Sequence, residues 1–337
     1  MKIAFFGLEK LEQTFFSKSF DNADISFFEE KLDENNVDKA KDAEIVCVFV
    51  DSTVNKEVID SMPALKFIAT RATGFNNINC EYAKTKGILV SNVPAYGSHT
   101  VAEFAFGLIL NLSRNIEKAN NHIRELSDFN FSPIMEGFDL KDKTLGIVGT
   151  GKIGKNVAKI AKGFEMDVIA YDLYPDLVFA KENNFEYKSL KDVISKSDII
   201  TLHTPYNKES HHLINKENIS IMKKGVYLIN TARGELIDTD ALIWGLSEGI
   251  IAGAGLDVLE GEKELKEETE LLSSSKRLMK IEEYKMLLEN HVLMDMPNVI
   301  ITPHIAFYSR EAVAEILKVT ILNIQGFISG SPINLIK

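Results

Sequence analysis

Three polar groups follow apolar runs in the second half of this 337-residue chain. They are Thr231, Ala232 and Arg233 after GVYLIN; Asp257, Glu260 and Glu262 in and after GAGLDV; and Pro303 with His304 after NVIIT. If the runs are strands of an open α/β sheet, all three groups lie at strand carboxyl ends, where such sheets gather ligands. An arginine there can grip a carboxylate with two parallel N–H donors, a geometry lysine cannot supply. A histidine can give a proton to a carbonyl near neutral pH when a carboxylate keeps it charged and oriented. Glu262 is a candidate for that carboxylate, while Glu260 and Glu262 also share an acidic stretch of the kind that forms a solvated face. Together these residues suit delivery of a hydride and a proton to an α-keto acid.

The other histidines say less. His122, His211, His212 and His291 stand in polar surroundings and are given no role. His99 precedes a helical pattern and suits a cap. His203 ends an apolar run just before Thr204 and Pro205, a place that could line a cofactor cleft. His304 stands out through its place at a run's end beside Pro303 and the aromatic pair Phe307 and Tyr308.

A hydride needs a carrier, and residues 144–172, TLGIVGTGKIGKNVAKIAKGFEMDVIAYD, have the pattern of a carrier site. A buried-strand run at 145–148 leads into Gly149, Gly151 and Gly154 in G-x-G-x-x-G spacing. An amphipathic helix follows, with Val157, Ile160, Ala161 and Phe164 on one side, and then a second apolar run ending at Asp172. Gly149 allows the tight turn, Gly151 lets backbone approach a pyrophosphate, and Gly154 lets helix and strand pack closely. Asp172 would accept hydrogen bonds from a ribose. The stretch YDLYPD at 171–176 has no Arg or Lys for a 2′-phosphate and two carboxylates to repel one, which favours NAD over NADP.

The elements that must hold these residues can be read along the chain. Strand-like runs at 2–6, 25–28, 45–50, 67–70 and 88–91 alternate with helical segments at 53–61 and 80–86, a pattern that implies a mostly parallel sheet. Residues 100–126 predict one long helix, with Thr100 as cap and Glu103 in capping-box spacing. Further strands are expected at 197–203, 225–230, 253–258 and 298–302, with a helix at 239–248. The helical pattern at 310–328 is expected to return to the first domain. Residues 260–290 resist assignment, with apolar Leu271, Leu272, Leu278, Ile281, Leu287 and Leu288 in an acidic and basic background.

The expected fold is α/β, with two doubly wound parallel-sheet domains (Rossmann-like and flavodoxin-like) and a cleft between them. One is a discontinuous substrate-binding domain, 1–99 plus 305–337, and the other is an NAD-binding domain, 100–304. A net charge of −11 without a basic run argues against nucleic acid or an anionic membrane as partner. Cys47 and Cys80 belong to no metal-like cluster, so no metal site is expected and a reducing, cytoplasmic setting is. The opening MKIAFFG is too short an apolar run for a signal peptide, and no run reaches membrane-spanning length.

Several ordered motifs then carry a resemblance over essentially the whole length. RATGFNNIN (71–79), SNVPAYGSHTVAEFAFGLIL (91–110), the glycine loop (146–164), LINTARGELIDTDAL (228–242), AGAGLDVLEGE (252–262) and NVIITPHIAFYS (298–309) resemble the D-isomer-specific 2-hydroxyacid dehydrogenases. VPAY and PHIAFY most resemble the D-lactate dehydrogenase branch. The resemblance implies that Arg233 binds the substrate carboxylate, that His304 is the acid/base and that Glu262 pairs with it. It implies cofactor contacts at Lys152, Ile153, Asp172, Thr204, Pro205, Thr231, Ala232 and Asp257, and substrate contacts at Thr73, Gly74 and Tyr96. The segment between Glu262 and His304 is longer than in many members, and the choice of Glu262 over Glu260 rests on its offset from Asp257. No regulatory domain is expected after the last helix.

These readings together predict NADH-linked reduction of a small 2-keto acid, pyruvate first, to the D-2-hydroxy acid. Alternatives are a dehydrogenase for 3-phosphoglycerate, glyoxylate or hydroxypyruvate, or branched 2-keto acids, and an NAD-sensing protein like the corepressors on this scaffold. A homodimer is expected through the long apolar-faced helix.

Overall fold

The computed structural model describes residues 1–20, 23–266 and 280–336. They fall into two compact units, Met1–Gly97 with Tyr308–Lys337, and Ser98–Phe307.

The first unit is built on five parallel strands: β1 (Lys2–Phe6), β2 (Asp24–Phe28), β3 (Ile45–Val48), β4 (Phe67–Thr70) and β5 (Leu89–Ser91). Their order is β2-β1-β3-β4-β5. Every residue of β3 and β4 is buried, which explains why these runs are apolar throughout rather than alternating. The helix Arg310–Ile328 covers one face. Its Leu317 and Ile324 join the core around Phe5 and Phe16, and Phe327 stacks on Phe67 with ring centroids 4.5 Å apart. The chain's last helix therefore belongs to the unit that holds its first strand.

The second unit has seven parallel strands: β6 (Thr144–Val148), β7 (Asp167–Tyr171), β8 (Glu186–Tyr187), β9 (Ile199–Leu202), β10 (Val226–Asn230), β11 (Ile251–Leu256) and β12 (Val299–Ile301). The order is β12-β11-β10-β9-β6-β7-β8. The chain starts in the middle at β6, winds out to β8, then crosses back to β9 and winds the other way. Winding reverses between β6 and β9, and this is where such sheets bind ligands. Two-residue β8 is too short and too polar to have been read from periodicity.

The expected single helix over 100–126 is two helices, Ser98–Arg114 and Ile116–Leu126. Asn115 between them is left-handed (φ 50°, ψ 39°), a conformation asparagine tolerates better than most residues. Asn111 Oδ1 accepts the Glu117 N–H at 2.8 Å, and Asn115 Nδ2 donates to the Glu136 carbonyl at 2.8 Å. Thr100 lies inside the first turn rather than capping it. The first helix lies close to β11, since a Cβ at Gly255 would meet Leu108 Cβ at 3.0 Å.

In the unassigned acidic stretch, Glu262–Lys266 and Ile281–Asp295 are helical. The second of these helices carries Ile281, Leu287 and Leu288, while Leu271, Leu272 and Leu278 lie outside the described residues.

Candidate active site

The glycine turn connects β6 to the helix Lys152–Gly163 at the switch point. Gly149 has φ +92°, and a Cβ on it would stand 2.7 Å from Thr204 Oγ1 and 2.8 Å from the His203 carbonyl. Only glycine allows both the turn and the close approach of the β9 end. A Cβ on Gly154 would lie 2.0 Å from the Gly149 carbonyl oxygen, so the helix start is packed against the turn itself. At Gly151, the helix N-cap, an added Cβ would meet nothing within 4 Å. Open space over free helix N–H groups is what an approaching phosphate requires. Lys152 is exposed and Ile153 half-buried in the first turn. At the end of β7, Asp172 holds the turn: its Oδ2 accepts from Thr150 N at 2.6 Å and Thr150 Oγ1 at 3.0 Å, and its Oδ1 from Tyr174 N at 2.8 Å.

Beyond β9, Thr204 Oγ1 donates to the Val148 carbonyl at 3.2 Å, which ties the Thr204–Pro205 segment to the end of β6. His203 is bonded through Nε2 to Thr201 Oγ1 at 2.9 Å, and burial drives its pKa down to about 3. Its ring is therefore neutral near pH 7. His203 Nδ1 and Thr231 Oγ1 are buried atoms without a hydrogen-bond partner among the described residues. Such atoms are costly unless a ligand or water satisfies them.

On the other side of the switch point, β10, β11 and β12 are neighbours, so the three polar groups gather at one end of the sheet. Fully buried Asn230 ends β10 and shapes the next turn. Its Oδ1 accepts from Ala232 N at 3.0 Å and its Nδ2 donates to the Arg233 carbonyl at 2.8 Å. Gly234 follows, and a Cβ there would lie 2.0 Å from the Leu259 carbonyl carbon and 2.2 Å from Glu260 N. That backbone contact brings the turn holding Arg233 against the turn leading to Glu262. Arg233 Nη1 donates to the Ala232 carbonyl at 2.6 Å, and among the described residues the guanidinium has no carboxylate partner.

Asp257, 1 % exposed, organises the histidine turn. Its Oδ1 accepts from Thr302 Oγ1 at 2.6 Å and Ile305 N at 2.9 Å, and its Oδ2 accepts from Ala306 N at 2.8 Å. Its backbone carbonyl accepts from His304 N at 2.8 Å. These bonds hold His304 at φ +57°, a conformation seldom adopted by residues other than glycine. Both Asp257 oxygens are thus engaged within the protein, which makes it a positioning residue for the histidine. Burial pushes its pKa above the usual carboxylate range against those three donors.

His304 Nδ1 lies 2.9 Å from Glu262 Oε2, and Glu262 Oε1 accepts from Leu259 N at 3.1 Å. Glu260 instead faces His212, with both its oxygens 3.1 Å from His212 Nε2. Burial pushes the Glu262 pKa up, but the hydrogen bond and charge of His304, then Lys266 and the Leu259 N–H, outweigh it and hold the pKa below the usual value. Nδ1 being engaged, Nε2 is the histidine nitrogen left to exchange a proton with a ligand. The pair borders a cavity of about 370 Å³ lined also by Leu265, Met294 and Ile301.

In the first unit, Thr73, Gly74 and Tyr96 follow β4 and β5. Thr73 Oγ1 donates to the Val93 carbonyl at 2.7 Å and Asn92 Nδ2 donates to the Thr73 carbonyl at 2.8 Å. Asn230 and Gly234 were not singled out from sequence. The available signal was a polar residue closing a buried strand and a glycine directly after the arginine.

The open helix N-terminus at Gly151, the acidic residue closing β7 and the two orphaned atoms fit a dinucleotide. Residues 106–306 match the family profile described as D-isomer specific 2-hydroxyacid dehydrogenase, NAD binding domain. An aromatic 2-oxoacid reductase of Clostridium sporogenes is 41% identical over 291 residues, 86% of this chain and 84% of that protein. D-lactate dehydrogenase of Escherichia coli is 35% identical over 336 residues, 98% of each. The crystal structure of D-lactate dehydrogenase from Aquifex aeolicus complexed with NAD and lactic acid matches with a TM-score of 0.84 at 37% identity, over 98% of this chain and 96% of that one. With motifs, fold and relatives in agreement, the chain belongs to the D-isomer-specific 2-hydroxyacid dehydrogenases, NAD-dependent oxidoreductases that act on a CH–OH group.

Proposed function

We propose that the protein reduces a small 2-keto acid, pyruvate first, to the D-2-hydroxy acid, with His304 as proton donor. The observation that carries this reading is the 2.9 Å His304–Glu262 pair at the end of β12, on the same sheet end as an arginine without a carboxylate partner among the described residues. When bound, NADH supplies the hydride that reduces the carbonyl carbon. Gly149, Gly151, Lys152, Ile153 and Gly154 would receive its pyrophosphate, Asp172 its adenosine ribose, and Thr204, Pro205, Thr231 and Ala232 would line the rest, with Asp257 acting on that side through the histidine turn it holds.

Arg233 clamps the substrate carboxylate and thereby fixes where the carbonyl points. His304 gives a proton to the carbonyl oxygen as charge develops there, and Glu262 stabilises the charged imidazole and keeps its Nδ1 occupied. Thr73, Gly74 and Tyr96 are proposed as further substrate contacts. The D configuration is carried by the family. A second reading, a bulkier aryl 2-keto acid, is favoured by the 41% identity to the aromatic 2-oxoacid reductase.

A homodimer is proposed for the second unit. The helix Ile116–Leu126 buries no residue, and Phe129 and Phe131 just after it are 89% and 94% exposed, a surface suited to a second copy. Two free cysteines fit a cytoplasmic setting, and no described helix is long and apolar enough to cross a membrane. The experiment is NADH oxidation by the purified protein with pyruvate, phenylpyruvate, branched 2-keto acids, glyoxylate and phosphohydroxypyruvate, repeated with NADPH, with the product's handedness determined. Fast NADH-linked turnover of pyruvate supports the first reading, and preference for phenylpyruvate the second. Absence of turnover with NADH still bound would refute both.

A further inference from the structure

One other group of side chains converges among the described residues. His211, His212 and Glu260 each bring one ligand atom to within 4.8 Å of the others. The two imidazoles stack with centroids 3.8 Å apart and planes 24° from parallel, and Tyr206 meets His211 edge-on. The Glu260 carboxylate is only 13% exposed, yet among the described residues both of its oxygens look to the one His212 Nε2, each at 3.1 Å. A carboxylate has about four acceptor positions, so a single N–H leaves it poorly served.

The surrounding backbone holds the group in place. Asn290 Nδ2 donates to the Glu260 carbonyl at 2.8 Å, and His212 N donates to the Glu235 carbonyl at 2.9 Å. The Gly234 approach fixes Glu260 N from the other side. We propose that His211, His212 and Glu260 bind one divalent transition-metal ion of the zinc, nickel or copper class. Two imidazoles and a carboxylate are the donors that such ions favour, and three protein ligands leave a position for water. Tetrahedral zinc needs ligand atoms about 3.3 Å apart. Binding requires the exposed His211 ring to turn so that its ligand atom closes the remaining gap. The site is separate from the His304–Glu262 pair, although Glu260 stands two residues before Glu262, so a bound ion would brace the turn that carries the catalytic carboxylate.

The test uses tag-free full-length protein freed of metal with a chelator. Zn²⁺ binding is measured by competition with a chromophoric chelator, and Co²⁺ binding by its visible spectrum. One equivalent per chain is expected, weakened at least tenfold in both His211→Asn and Glu260→Gln, with a Zn²⁺-dependent rise in melting temperature in the wild type that His211→Asn lacks. His211 is exposed, so its variant should keep the fold, and its melting temperature without metal measures what the lost ring contacts with His212 and Tyr206 cost. Absence of stoichiometric binding, or wild-type affinity in either variant, overturns the proposal.

Discussion

Replacing Gly234 by alanine tests whether two backbone turns must touch for this site to work. The added Cβ would stand 2.0 Å from the Leu259 carbonyl carbon and 2.2 Å from both Glu260 N and the Leu259 carbonyl oxygen. Ordinary contact begins near 3.4 Å, so the two turns must part by about 1.4 Å. Neither side is a flexible side chain that can swing away. The turn on one side carries Arg233 and the other leads to Glu262, so the carboxylate clamp and the proton donor's partner separate. A misplacement of about 1 Å typically costs on the order of 100-fold, so kcat/KM should fall by roughly that factor, about 2.7 kcal/mol of barrier. Overpacking should also cost about 1–3 kcal/mol of stability. The assay is kcat/KM for the preferred keto acid, well below the variant's unfolding midpoint, beside NADH affinity by fluorescence titration. NADH affinity should fall less than kcat/KM does, because the phosphate turn at Gly149–Gly154 lies elsewhere on the sheet while the turn that parts also carries Thr231 and Ala232. A variant with kcat/KM within threefold of wild type would refute the reasoning.

Gly151→Ala should do the reverse. Its Cβ meets no protein atom and φ is an ordinary −63°, so denaturation should show a stability change of about 0.5 kcal/mol or less while NADH dissociates at least tenfold more readily. Glu262→Gln removes a charge-assisted bond of about 1.5–3 kcal/mol to His304, and kcat should drop roughly 10- to 150-fold. Asp257→Asn sets an amide against buried N–H donors and should cost about 2–4 kcal/mol in urea denaturation, along with most of the activity. His203 gives a pH signature. Its folded pKa, about 3, lies below the ordinary value of 6.5, so the unfolded chain takes up the proton first. Stability is unaffected above about pH 6.5 and falls by up to about 1.4 kcal/mol per pH unit as pH drops from there towards 3. His203→Asn should flatten that slope, and an unchanged slope would contradict the burial argument.

The strands, the glycine turn and the polar groups at strand ends were legible in the sequence because each depends on local pattern. Continuous apolar runs marked β3, β4 and β9, and the glycine spacing placed the switch point. What escaped depends on long-range placement. The three donors to Asp257 come from Thr302, Ile305 and Ala306, 45 to 49 residues away, so its role as organiser of the histidine turn could not be read from its own neighbourhood. The sequence put Glu260 and Glu262 in one acidic stretch, and folding sends one to His212 and the other to His304. The same event gathers Glu260 with His211 and His212, which stand 48 or more residues before it in the chain. The break at Asn115 was hidden because the Asn111 side chain takes the Glu117 N–H and the Asn115 side chain bonds the Glu136 carbonyl, leaving the apolar pattern nearly continuous.

The most direct test of the central claim is single-turnover reduction of the preferred 2-keto acid by NADH in His304→Asn. Asparagine tolerates the left-handed backbone at this position, so the turn held by Asp257 should persist. The account predicts a rate lower by about 10²- to 10⁴-fold with NADH affinity within twofold of wild type. A near-normal rate would remove His304 from the chemistry and contradict the proposed mechanism.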